Sequence, residues 1–246
     1  MRISQMANSI GMSSLYLNKT TNEMNKSAKR ISSGKKLNTD LVGEMGKLNT
    51  LKGHRNTINV ETSNLKDAKS FVDTKDGALA QITELAQKIN ETYAKGTLDD
   101  ADDAAVTQYT TEITNILKNT TYNGQKVFNT DDISFGNGVS ISKTSLLKTG
   151  GTSALDFTDA QKSSDSLKAI LSETAINGAI SNGIDSRISI NTNTISNLDD
   201  AISRIEDVDI TEENLKYNQL AIQQQISAAM ISKMQDSQSS ILNFLI

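Results

Sequence analysis

The sequence contains no cysteine, no proline, no tryptophan and a single histidine. Without cysteine there is no disulfide framework, no thiolate metal site and no cysteine nucleophile. One histidine, His54, cannot build a multi-histidine metal site. An interior proline costs a helix ~3 kcal/mol, so its complete absence suits long uninterrupted helices. Aromatic residues make up 4% of the 246 and hydrophobic residues 36%, a thin supply for a globular core. Core filling falls to Leu, Ile, Val, Met and Ala, which favours helices packed side by side over a compact enzyme. No run approaches the ~20 apolar residues of a membrane helix, so no membrane insertion is expected. The opening MRISQMANSIGMSSLYLNK has no continuous apolar stretch and is no ordinary cleaved secretory signal.

Charge is present but unevenly spread. The net charge is −4, yet residues 1–60 carry +7 and residues 196–246 carry −5. The ends are electrostatically complementary, against the plainer reading of two separate solvated faces. Nucleic-acid binding is not expected of the basic end, because its charges are dispersed and aromatics for base stacking are scarce.

The strongest signal is periodic. Ile3, Ile10, Leu17, Met24 and Ile31 fall seven apart, and Met6 adds a second position to that stripe. Leu51, Ile58, Leu65, Val72, Leu79, Ala86 and Tyr93 form a longer series, with Ala68, Ile82 and Ile89 beside it. A strict seven-residue repeat gives a narrow seam on a helix that winds against a partner. A helix over 45–94 would run roughly 75 Å at 1.5 Å per residue. Between the stripes, Ser32-Ser33-Gly34-Lys35-Lys36, then Asn38, Asp40, Gly43 and Gly46, read as a hinge. Ala94-Lys95-Gly96 ends the second helix. Thr97 or Asp99 caps a third that continues to about 119.

Residues 120–165 differ in character. Ile133-Ser134-Phe135 and Val139-Ser140-Ile141 alternate around Gly136-Asn137-Gly138, a hairpin signature. Residues 149–166 read as loop. From about 184 to 244 the spacing predicts one or two nearly continuous helices, carrying Leu220, Ile226, Met230, Met234, Ile241 and Leu245, with an offset near 207–213. Seams this narrow cannot be buried by an isolated helix, so the chain reads as built for lateral association, end against end or copy against copy. The expected fold is mainly α: an elongated antiparallel helical bundle or coiled coil with a small β-hairpin.

Candidate chemistry is sparse. Asp99, Asp100, Asp102 and Asp103 lack the glycine and the twelfth-position glutamate of a calcium loop, and helix capping accounts for them. Gly136-Asn137-Gly138 is a turn and not a phosphate loop, since no helix start follows it. There is no nucleophile elbow and no P-loop. No enzyme activity, cofactor or metal is expected. A membrane-surface helix needs cations opposite a wide apolar face, and the C-terminal stretch offers only Lys216 and Lys233 after Arg204.

Several short segments, taken in order, resemble the bacterial flagellins. Met1-Arg2-Ile3 opens the chain as in that family. Arg30-Ile31-Ser32-Ser33-Gly34-Lys35-Lys36-Leu37-Asn38 is similar to its R-L/I-S-S-G-x-R/K-I/L-N segment. Asp76-Gly77-Ala78-Leu79 and Gly96-Thr97-Leu98 resemble its E-G-A-L and G-T-L-x-D stretches. Thr121-Tyr122-Asn123-Gly124-Gln125-Lys126-Val127-Phe128 is similar to the motif closing its N-terminal region, and Ser203-Arg204-Ile205-Glu206-Asp207-Val208-Asp209 fits S-R-I-x-D-V-D. In place of the family's D-D-A-A-G stretch stands Asp40-Leu41-Val42-Gly43-Glu44.

The resemblance implies paired N- and C-terminal helices forming an inner coiled-coil domain, 1–40 with 210–246. It implies a long-helix domain, 41–209, with a β-hairpin near 128–150 and no separate outer domains. It implies a structural subunit of the flagellar filament serving swimming motility, a homopolymer lying outside the cell. Its implied partners are the flagellar cap, the hook-associated proteins, an export chaperone and the flagellar type III export apparatus. Export would be guided by the N-terminus with no cleaved signal. The alternative reading is a hook–filament junction protein, which the Gln223-Gln224-Gln225 run suits; a coiled-coil adaptor ranks below both. Glu112 matches a glutamate that contacts the vertebrate innate flagellin receptor. The stretch Thr83–Ile89 lacks the two arginines of the family's receptor segment, so weak receptor activation is expected.

Overall fold

The computed structural model describes residues 2–129, 131–136, 139–148 and 152–245, with the side chains of 2–7, 152 and 241–245 outside that description. Among the described residues five helices carry the fold: α1 (Arg2–Ser33), α2 (Met45–Ala94), α3 (Asp100–Asn119), α4 (Ala160–Glu206) and α5 (Ile210–Leu245). Six short strands lie between α3 and α4: β1 (Thr121–Tyr122), β2 (Gln125–Lys126), β3 (Ile133–Gly136), β4 (Val139–Ile141), β5 (Leu147–Lys148) and β6 (Thr152–Ser153). They form three antiparallel pairs, β1 with β2, β3 with β4 and β5 with β6. The chain divides into two compact units, Met1–Gly53 with Leu198–Ile246, and His54–Asn197. The division implied by the family resemblance lies at 40/41 and 209/210.

Helix ends follow local chemistry. The Asp99 side chain accepts the backbone N–H groups of Ala101 and Asp102 at 3.0 and 2.8 Å, which caps α3. Asp100, Asp102 and Asp103 sit in its first turn, where the positive end of the helix favours them. The expected heptad of α2 is the core of the His54–Asn197 unit. Leu65, Ala68, Val72, Leu79, Ile82, Ala86 and Ile89 are all buried there. From α3 come Val106, Ile113 and Leu117; from the strand region Phe128, Val139, Ile141 and Leu146; from α4 Ile170 and Ile184. The few aromatics are concentrated here. The ring of Phe71 on α2 meets Tyr122 and Phe135 edge-on, at 6.2 and 5.6 Å between centroids.

One position of that heptad is charged. Lys75 and Glu173 are each only 2% exposed and pair at 2.6 Å between α2 and α4. Glu173 also accepts the Ser145 backbone N–H at 3.1 Å and its hydroxyl at 2.9 Å. Burial pushes the Glu173 carboxyl up. The Lys75 ammonium and the Ser145 donors outweigh it, and the net shift is downward.

Three expectations need correction. Residues 149–166 are not plain loop: β5 pairs with β6, and α4 starts at Ala160 rather than near 184. The early half of α4 escaped notice because its inward heptad alternates in polarity: Ser163, Ile170, Asn177, Ile184. Gly178 and Gly183 lie inside the helix at a cost of about 1 kcal/mol each. Burial of the inward face offsets that cost. The β1–β2 hairpin was not expected, because two-residue strands leave almost no pattern. The Ile133/Val139 hairpin is present as β3–β4, and its Asn137 and Gly138 lie outside the described residues.

Candidate assembly interface

Helices α1 and α5, drawn from opposite ends of the sequence, pack against each other. They run antiparallel: the Ser27 hydroxyl donates to the Glu213 carbonyl at 3.3 Å, and the Gln224 amide donates to the Thr21 hydroxyl at 3.0 Å. The inward side of α1 carries two sevenfold series. Ile10, Leu17, Met24 and Ile31 are partly buried, as their spacing implies. The second series is Ser13, Thr20 and Ser27, and Thr20 and Ser27 are buried more completely than their apolar neighbours. The Thr20 hydroxyl satisfies itself on the Tyr16 carbonyl at 3.0 Å.

On α5 the inward positions are Glu213, Tyr217, Leu220, Gln224, Ser227, Ile231, Met234 and Gln238, in four–three alternation, with Ala221 partly buried beside Leu220. Leu220 and Met234 therefore lie on the seam. Ile226 and Met230 do not lie on that seam, being 55% and 53% exposed. Each stands one residue, about 100° of helix, away from the true seam positions Ser227 and Ile231. Ile3, Met6, Ile241 and Leu245 have side chains outside the described residues.

The pair thus departs from an ordinary coiled coil. Serine, threonine and glutamine alternate with apolar residues along its seam, while other large apolar side chains point outward. Met12 is 66% exposed, and Leu15, Tyr16 and Ile222 are also exposed. Met12, Tyr16, Ile226 and Met230 flank one open groove of about 380 Å³ between the helices.

Where α1 ends, the two flagellin-like motifs meet. Gly34 takes a left-handed φ of 68°, and its N–H bonds the Arg30 carbonyl at 2.8 Å, closing α1. The chain then runs beside the residues that follow α4. Lys36 N–H bonds the Glu206 carbonyl at 2.8 Å, and Val208 N–H bonds the Gly34 carbonyl at 3.1 Å. Arg30 is buried and grips Asp40 through two bonds of 2.8 Å, with a third bond to Glu213 at 3.2 Å. That guanidinium holds the Asp40 carboxyl down at about 2, and the two acids raise Arg30 above its ordinary value. Lys52 and Lys35 reach Glu206 at 2.8 and 3.1 Å and lower its carboxyl. Beneath them Leu41, Leu48 and Ile205 form a small apolar cluster.

The other motif residues have local roles. Asp209 caps α5 by accepting Thr211 and Glu212 N–H groups at 2.8 and 3.2 Å. Ser203 donates to Asp207 one turn on. The Ser33 hydroxyl bonds the Lys29 carbonyl at 2.9 Å, and the Asn38 carbonyl accepts Leu41 N–H at 3.3 Å. Ser32 and Arg204 are exposed. Asn123 and Gly124, with φ of 49° and 77°, form the two-residue turn joining β1 to β2 and hold Tyr122 over Phe71. Glu112 is exposed on α3, within the His54–Asn197 unit. Sequence reasoning missed Asp40, Glu213 and the serine–threonine series. The latter was visible as sevenfold spacing continuing from Met6.

Comparison with known proteins agrees with this geometry. Residues 3–132 match the bacterial flagellin N-terminal helical region, and residues 161–245 match the bacterial flagellin C-terminal helical region. The chain is 25% identical over 251 aligned positions to the flagellin of Halalkalibacterium halodurans, covering 91% of this chain and 92% of that one. It is 26% identical to the secreted flagellin C of Campylobacter jejuni, over 72% of this chain and 77% of the relative. It is 34% identical to the B-type flagellin of Pseudomonas aeruginosa over 49% of this chain, and spans 26% of that relative's length. None of these findings supports the hook–filament junction alternative. No described helix is long and apolar enough to cross a membrane. Both matched regions contain the helices that pair here, and the two motifs that clasp at Gly34 and Val208 lie one in each; this chain belongs to the bacterial flagellin family.

Proposed function

We propose that the chain is a structural subunit that polymerises through its terminal helices into a flagellar filament. The observation that carries this reading is the mixed seam of α1 and α5 beside an exposed apolar row. With Ser13, Thr20, Ser27, Gln224 and Ser227 among its seam positions, the pair buries less apolar surface than an all-apolar seam would, at roughly 25 cal/mol per Å² removed from water. The outward row of Met12, Leu15, Tyr16, Ile222, Ile226 and Met230 forms a patch that soluble monomers seldom leave uncovered. Covering it with neighbouring copies supplies the stabilisation the pair lacks by itself. The seam residues Ile10, Leu17, Met24, Leu220 and Met234 hold the pair, and Ile226 and Met230 meet the next copy. Ile3, Met6, Ile241 and Leu245 extend the same contacts toward the chain ends.

In this reading the subunit leaves the cell unfolded through the flagellar type III export apparatus, with an export chaperone. Cap and hook-associated proteins bound the polymer at its two ends, and no catalytic step is involved. Glu112, exposed on α3, is a contact for an innate flagellin receptor, and activation is weak without the arginines absent from 83–89. A dose response in receptor-reporter cells equal to that of a standard flagellin would refute the last point. The assembly reading is tested by deleting residues 226–246. The shortened chain should remain in the supernatant under conditions where the full chain forms filaments. Normal filaments from the deletion would refute it.

A further inference from the structure

The methionines are distributed unevenly between the two units. Of seven, six lie in the terminal stretches 1–33 and 210–246, the seventh is Met45, and the His54–Asn197 unit has none. The chain has no cysteine, so methionine thioethers are its only oxidisable sulfur. Met12 and Met230 are 66% and 53% exposed and flank one groove between α1 and α5 with Tyr16 and Ile226. Met24 and Met234, by contrast, sit partly buried on the seam.

We infer that Met12 and Met230 make assembly sensitive to peroxide: their oxidation in the free subunit blocks copy-to-copy packing and leaves the His54–Asn197 unit folded. The inference rests on the filament-subunit reading given above. In the chemical step the thioether sulfur gives an electron pair to one oxygen of hydrogen peroxide, the O–O bond breaks, and water leaves. Sulfur is oxidised to the sulfoxide as peroxide is reduced. The product replaces a flexible apolar side chain with a strongly polar one. Exposed in the monomer, the new oxygen is solvated at no cost. Buried against a neighbouring copy, it exchanges its water for the few donors of the groove, the Ser13, Tyr16 and Ser227 hydroxyls and the Gln223 amide, and the apolar contact of the thioether with Ile226 and the facing copy is lost. The core of α2, α3 and α4 contains no thioether to be altered. The same surface is shielded once assembled, so the free subunit is the vulnerable form.

The test treats full-length monomer with hydrogen peroxide, maps added oxygen by peptide mass spectrometry, and follows seeded elongation beside an untreated sample. The inference expects sulfoxide at Met12 and Met230, unchanged helical circular dichroism from the folded unit, and elongation slowed about tenfold or more. Treated filaments should gain less sulfoxide at these two positions than treated monomer. The M12L/M230L variant should elongate equally before and after peroxide. Enzymatic reduction of the sulfoxides in the oxidised natural chain should restore its rate, which decides the matter even if the leucine variant assembles poorly. Undiminished elongation of a chain oxidised at both positions would overturn the inference, as would equal loss in the leucine variant or no recovery on reduction. If the untreated chain does not elongate, the filament reading fails, and this one with it.

Discussion

Arg30 is the residue on which the terminal motifs converge. It lies buried between Asp40 and Glu213, one from the segment after α1 and one from the first turn of α5. Asp40 replaces part of the stretch that the family usually places there, yet it supplies the bidentate partner. Because its carboxyl is lowered from 3.8 to about 2, Asp40 binds a proton less readily folded than unfolded. Its contribution to stability is therefore full above about pH 4 and lost as pH falls toward about 2. Urea unfolding should show Asp40→Asn less stable than the natural chain at neutral pH, with the gap closing near pH 2. A gap unchanged by acid would contradict the assignment. Gly34 makes a separate prediction. A methyl group there meets nothing within 4 Å, so only its left-handed φ resists substitution. Gly34→Ala should cost about 1 kcal/mol in the same assay. A neutral result would mean that the helix end relaxes without loss.

Among the elements, α2 was the most legible and α4 the least. The ends of α2 and the Asp99 cap of α3 follow from heptad spacing, the glycine at 96 and acidic residues at a helix start. The first half of α4 hid behind Ser163, Asn177 and Glu173, polar residues at inward positions where a hydrophobic search expects apolar ones. Glu173 and Asn177 are identified by their partners, which come from α2 and the segment before β5, and no local pattern displays those. The Lys75–Glu173 pair carries a testable consequence. Glu173→Gln leaves a buried ammonium without its counter-charge and should cost roughly 3 kcal/mol. Replacing both residues, Lys75→Met with Glu173→Leu, should lie within about 1 kcal/mol of the natural chain or above it. Its amides at Ser145 and Leu146 should still exchange faster, since the carboxylate that held Ser145 is gone. Unaltered exchange there in the double variant would show that the pair does not anchor this segment.

For the whole molecule, the sequence announced paired ends but misplaced the faces. Sevenfold apolar spacing led to a seam of large side chains on both helices. The structure interleaves Ser13, Thr20, Ser27 and Ser227 with the apolar seam residues and turns Ile226 and Met230 outward. Large apolar residues at two angular positions of one helix cannot all face a single neighbour. Counting apolar residues alone could not say which set faces inside the chain. The burial pattern separates them, and the exposed set is what a polymer of identical subunits would use. Among the described residues, opposite charges of the two ends meet at Arg30 with Glu213 and at Lys35 and Lys52 with Glu206. The measurement that bears most directly on this account is seeded polymerisation of the purified full chain, read by pelleting and negative-stain electron microscopy. The account predicts long filaments growing from the seeds, and a chain with Ile226→Asp that stays in the supernatant with its helices intact. A natural chain that remains monomeric beside competent seeds, or an Ile226→Asp chain that elongates normally, would contradict it.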